Sequence, residues 1–205
     1  MLKRLPFAAA LSLAALFPAA LPAAARDIIA VAPVYSQLVA FAAPAGFKAV
    51  YEAEQNGSYI LELVPKGESP EAWTQMLTLT GIKGGADRQS AVDFAAGLAS
   101  GYQAACPDTF SARNLPAPRI KGVAQTFAGY VGCGAVQGRS EEMVFVILQG
   151  AVDLYTLQWA ARGPALAGPI SPDAPTWMPR ADALALTRIC DKVAGEQAPY
   201  PSCTQ

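Results

Sequence analysis

The chain has 205 residues with 15 Lys and Arg, 16 Asp and Glu and no histidine, for a formal net charge of −1. The missing imidazole excludes Ser-His-Asp and Cys-His nucleophile systems and histidine-ligated zinc, copper or haem. The slightly acidic balance, with no run of Lys or Arg, excludes the clustered counterion release on which nucleic-acid and anionic-membrane binding depend.

Lys3 and Arg4 open the chain, Leu5 to Phe17 form an apolar run, and Ala23-Ala24-Ala25 stands before the next charges, Arg26 and Asp27. This is the pattern of a secretory signal peptide cleaved after Ala25. The run is shorter than the roughly 20 residues of a membrane span, and Pro18 and Pro22 follow it. No cysteine lies near the cleavage site, so the sequence predicts a periplasmic or secreted protein with neither membrane span nor lipid anchor. Residues 26–205 then form one domain, long enough for a substantial core, with a formal charge of −3 once Lys3 and Arg4 are removed.

Leu38-Val39-Ala40-Phe41 reads as a first short strand between Pro33 and Pro44. Residues 47–54 and 59–64 alternate around Asn56-Gly57 and read as a hairpin. A three-residue loop, Gln55-Asn56-Gly57, would place Tyr51 opposite Leu61 and gather the more apolar side chains on one face, so that register is preferred to a two-residue turn. Pro65 to Pro70 is turn-rich, Trp73 sits in a helical turn, and Met76 to Thr80 forms the next strand. Ser90 to Ala105 is the clearest helix. Phe94, Leu98 and Tyr102 recur every four residues, Ser90 can cap it, and Pro107 stops it.

A proline-bearing loop from Pro107 to Pro118 leads to a strand over Ile120–Tyr130 that reaches Cys133. Met143 to Leu148 is apolar at every position, which predicts a central strand buried on both faces, and Val152 to Ala160 alternates as its neighbour. Gly163 to Pro179, with five prolines and two glycines, reads as a long surface loop. Asp182 to Val193 reads as a second amphipathic helix stopped by Gly195. The whole predicts an α+β fold: a single antiparallel sheet packed by two main helices and stapled by disulfides. None of Cys106, Cys133, Cys190 and Cys203 is in Cys-x-x-Cys spacing, and in an oxidising compartment they are expected to pair as Cys106 with Cys133 and Cys190 with Cys203, the uncrossed arrangement between neighbouring elements.

The segments Leu38–Phe41, Gly46-Phe47, Tyr59–Pro65, Gly67-Glu68 and Trp73–Thr78 resemble the PsbP-like and DcrB-like group of exported α+β domains over residues 37–162, although Ala45 separates Pro44 from Gly46. The resemblance implies a non-catalytic accessory or binding module and transfers no catalytic residue. The chain itself offers no catalytic constellation, cofactor motif or metal-ligand spacing. Gly81-Ile82-Lys83-Gly84-Gly85 could cradle an anion but lacks the ending of a P-loop. Adjacent Glu141 and Glu142 read as solvated charges before an apolar strand.

Trp73, Trp177 and Met178 are the candidate surface for a partner protein or a small apolar ligand. The expected role is therefore an exported binding module. The alternative is a cofactor-independent enzyme using Asp153, Tyr155 and Arg162.

Overall fold

The computed structural model describes residues 28–120 and 122–204, so the leader assigned to residues 1–25 lies outside the described residues. In chain order the elements are β1 (Ile28–Val34), β2 (Gln37–Ala43), β3 (Phe47–Gln55), β4 (Ser58–Pro65), β5 (Gln75–Ile82), α1 (Ala91–Ala105), β6 (Phe110–Leu115), β7 (Gln125–Val136), β8 (Arg139–Gln149), β9 (Leu154–Pro164), α2 (Ala174–Ala185), β10 (Arg188–Asp191) and α3 (Pro201–Thr204). The α+β expectation is overturned, because the molecule is mostly β, with 47% strand and 18% helix. Two sheets replace the single one: seven strands in the order β3-β4-β5-β9-β8-β7-β6, and three in the order β1-β2-β10. All pairs are antiparallel, as the sequence predicts.

The three-stranded sheet comes from segments whose patterns hid it. The strand expected over Leu38–Phe41 is β2, and the segment before it, which the prolines made look irregular, is β1, its hairpin partner; Pro33 is tolerated because β1 is an edge. The helix read over Asp182–Val193 is displaced. Pro175 lies in the first turn of α2 and Pro179 inside it, within the predicted loop, and Thr187 closes the helix by donating from its backbone and its hydroxyl to the Leu184 carbonyl. The chain then enters β10, which pairs with β2. Alternation along β10 sends Ile189 into the main core and Cys190 to the other side, toward Leu38 and Cys203. The Pro107–Pro118 loop likewise contains β6, the second edge of the large sheet.

The hairpin register is the one the face-matching argument rejected. Gln55 pairs with Ser58 and Tyr51 with Glu62 across a two-residue Asn56-Gly57 turn whose residues have φ of 53° and 75°, as a type I′ turn requires. A bulge between Ala49 and Tyr51 changes which side chains share a face, and the edge strand β3 is exposed enough to mix them.

The seven-stranded sheet is covered on both faces. One core places the three-stranded sheet and α2 against it through Val39, Phe41, Leu77, Leu79, Val146, Leu157 and Leu184. Gly81 permits this docking: a Cβ there would sit 2.5 Å from Val34 Cγ1. The second core lies beneath α1, where Ala91 and Ala95 press onto Val131, Met143, Phe145 and Ile147. Ser90 and Asp93 form a reciprocal cap at the start of this helix. Met143 to Leu148 is buried throughout, as its apolar run predicts.

Both expected cysteine pairs form, each with Cα atoms 5.7 Å apart. Cys106–Cys133 ties the end of α1 to β7, and Cys190–Cys203 ties the carboxy-terminal tail to β10. Among the described residues no helix is long and apolar enough to cross a membrane.

Candidate functional site

Helix α1 covers β6, β7 and β8 but not the other half of the same face. There β4, β5 and β9 present Ile60, Glu62, Thr78, Thr80 and Gln158, all half-exposed. The result is a groove of about 350 Å³ whose floor mixes these mostly polar side chains with Met76, Met143 and Ala160, bounded by Tyr102 of α1 and by Trp73 from the connection before β5. That connection is held locally. The Thr74 amide and hydroxyl each donate to Glu68 at 2.7 Å, and Ser69 and Ala72 exchange backbone hydrogen bonds, so Trp73 is presented by a closed turn.

Arg162, near the end of β9, dominates one end of the groove. Its guanidinium lies 3.6 Å from the centroid of the Trp73 ring, and its Nε donates to Glu141 at 2.7 Å. Glu141 also accepts from the Tyr102 hydroxyl at 3.0 Å, while the Arg162 amide donates to the Thr74 carbonyl at 2.9 Å. Stacking on an aromatic face and one charge-assisted bond fix the guanidinium plane, the arrangement that suits arginine to planar anion recognition. Burial, with the charge and hydrogen bond of Glu141 added, pushes the Tyr102 hydroxyl well above its ordinary range, so it stays a proton donor.

Toward the other end stands Glu62. Burial raises its carboxyl above the ordinary glutamate value, and the field of Arg162 only partly offsets this. Among the described residues its carboxylate accepts no hydrogen bond and forms no ion pair. The floor beyond Glu62, on the side away from Arg162, is satisfied internally: Thr80 and Thr156 share a hydroxyl hydrogen bond at 2.5 Å, and Gln158 donates to Thr156 at 3.0 Å.

Three residues singled out in the sequence therefore converge here, namely Trp73, Glu141 and Arg162. The others do not. Asp153 and Tyr155 lie around the opposite end of β9 from Arg162, so the proposed enzymatic trio is not assembled. Asp153 accepts from the Ser36 hydroxyl at 2.6 Å, the Gly84 amide at 2.8 Å, the Ser36 amide at 3.1 Å and the Tyr155 hydroxyl at 3.3 Å. The glycine-rich turn does face an anion, but that anion is the protein's own Asp153.

Glu142 points away from Glu141 into the other core, where the Tyr130 hydroxyl donates to it at 2.6 Å and Trp177 Nε1 at 3.1 Å. Trp177 is thus buried at 4% exposure, edge-on to Tyr130, and is no surface anchor; Met178 beside it is 45% exposed. Met178 borders a smaller apolar hollow of about 210 Å³ between α2 and the Pro116–Pro118 segment.

Sequence reasoning missed Glu62, Thr78, Thr80 and Gln158 as a group. Each falls at the polar position of an alternating strand, and only the sheet order shows that no helix covers them. Among the described residues no cluster of Asp, Glu or Cys is arranged to hold a metal ion. No protein-family model matches the chain, and no curated protein matches it in sequence.

Proposed function

We propose that this is an exported binding module, of the kind its PsbP-like and DcrB-like resemblance implies, and that it captures a small polar ligand in the groove between α1 and the Trp73 turn. The observation that carries the reading is the pairing of a fixed guanidinium with a carboxylate left unpartnered in the same hollow. A half-buried charge without a partner is disfavoured in a purely structural role, and a ligand that pairs with it removes that penalty. Export is supported by the two cysteine pairs, which belong to oxidising compartments, and by the leader pattern of residues 1–25.

The apolar hollow by Met178 supports a second site for an apolar ligand less well, because it offers few groups to fix orientation. The test is equilibrium dialysis of the exported chain against a small-molecule extract, followed by NMR mapping of what is retained. Shifts of the Gln158 side-chain amide and the Trp73 indole are expected. Shifts confined to Leu115, Met178 and Leu184 would overturn the choice of site.

A further inference from the structure

Resting on that reading of the groove, we infer that its ligand is a short zwitterion of the peptide type, with its carboxylate on Arg162 and its ammonium on Glu62. Arg162 spends Nε on Glu141, and its two terminal amino groups meet no acceptor among the described residues. Arg139 lines the adjoining hollows at the same end and forms no ion pair among the described residues; of the three carboxylates there, Glu141 accepts from Arg162, Glu68 from the Thr74 amide and hydroxyl, and Glu71 from the Ser69 hydroxyl, which leaves the outer edges of the two guanidinium groups open to an added anion.

The opposite end has the reverse character. Glu62 is unpartnered, and Tyr51, 48% exposed, stands directly across from it on β3, an aromatic neighbour for a cation at the carboxylate. The Thr78 hydroxyl and the Gln158 amide carbonyl stand in the same row as Glu62, polar groups suited to the first amide of a linker, and Met76 and Ala160 floor the remaining way to Arg162.

The register sets the length. Glu62 is aligned through Thr78 with Gln158, and Arg162 lies four residues farther along β9. Two strand spacings and four residue rises separate the two backbones by roughly 16 Å. Long side chains reaching inward reduce the gap between the charges to about 10 Å, which two or three extended residues at up to ~3.6 Å each can span.

The test titrates the exported chain with triglycine, N-acetyl-triglycine, triglycinamide and glucose, reading Kd from the Gln158 side-chain and Trp73 indole resonances. Triglycine is expected to bind at least tenfold more tightly than either capped form. Glu62→Gln should abolish the preference over N-acetyl-triglycine while keeping the preference over triglycinamide; its circular dichroism and melting curve establish that it folds. Equal binding of triglycine and its capped forms, or glucose binding in their place, would overturn the ligand class and leave the groove standing as a site. No groove shift with any of the four probes would also overturn the ligand class, and the extract experiment then decides separately whether the groove is a site at all.

Discussion

Asp153 and Glu62 are two carboxylates in opposite situations, and the difference can be measured. Burial alone would raise Asp153, but the hydroxyl and amide of Ser36, the amide of Gly84 and the hydroxyl of Tyr155 hold its carboxyl below the ordinary aspartate value. A depressed folded-state value contributes stability above the unfolded value, lost as pH falls through the folded one. Asp153→Ala should cost about 2 kcal/mol in urea unfolding at pH 7, because it removes the acceptor shared by the buried Tyr155 hydroxyl and the more exposed Ser36 and Gly84 donors, at the junction of the β1–β2 turn, the Gly84 turn and β9.

Glu62 has the opposite sign: its raised carboxyl favours the fold below the ordinary glutamate value, and that contribution is lost as pH rises through the folded value. Arg162 is the charge whose field reaches it, and Tyr51 faces it across the strand pair. Glu62→Gln should therefore melt higher than the parent at pH 7 and close to it at pH 3. A lower melting temperature at pH 7 would show that the carboxylate has a structural partner after all.

At the scale of elements, what could be read from the sequence depended on whether neighbours in the fold were neighbours in the chain. The Ser90 cap, the period of Phe94, Leu98 and Tyr102, and the unbroken apolar run from Met143 are local signals, and each marks the element it predicts. The Ile189 and Cys190 pair also suits a helix face, and only β2, some 150 residues earlier in the chain, makes it a strand. The hairpin misled although its strands are neighbours in the chain, because the positive φ of Asn56 and Gly57 sets the register at the turn and overrides the matching of faces along an exposed edge strand.

For the groove, Trp73, Glu141 and Arg162 were visible as chemistry-bearing residues, but their meeting depends on β8, β9 and the Thr74 connection becoming adjacent. The same topology separates two substitutions of equal chemistry. Val146→Asp puts a charge at 2% exposure between the sheets and should cost roughly 4 kcal/mol, whereas Gln158→Asp lies on the groove floor and should cost below about 1 kcal/mol. Similar denaturant midpoints for the two would refute the assignment of faces in β8 and β9.

For the whole molecule, the layers depend on what closes their outer surfaces. Every residue of β2 is buried although the strand belongs to a sheet of only three. Its inner side chains meet the large sheet, while Leu38 and Ala40 on the outer side meet Cys203, Cys190 and Tyr200. The tail beyond β10 is therefore a lid over the small sheet, and α3, with four residues, is too short to hold itself there.

Loop-closure entropy assigns about 3 kcal/mol to a bridge of sequence separation 13 and about 3.5 kcal/mol to one of separation 27, so on that basis alone Cys106–Cys133 is the stronger staple. Packing reverses the order. Cutting Cys190–Cys203 also releases the cover over Leu38, whose exposure adds about 2 kcal/mol. Cys190→Ala with Cys203→Ala should then destabilise the protein more than Cys106→Ala with Cys133→Ala, and native-state hydrogen exchange should quicken first in β2. If the second pair of substitutions costs more and β2 keeps its protection when the tail is cut, the tail is tethered without serving as a cover, and the three-stranded sheet is held by its contact with the large sheet alone.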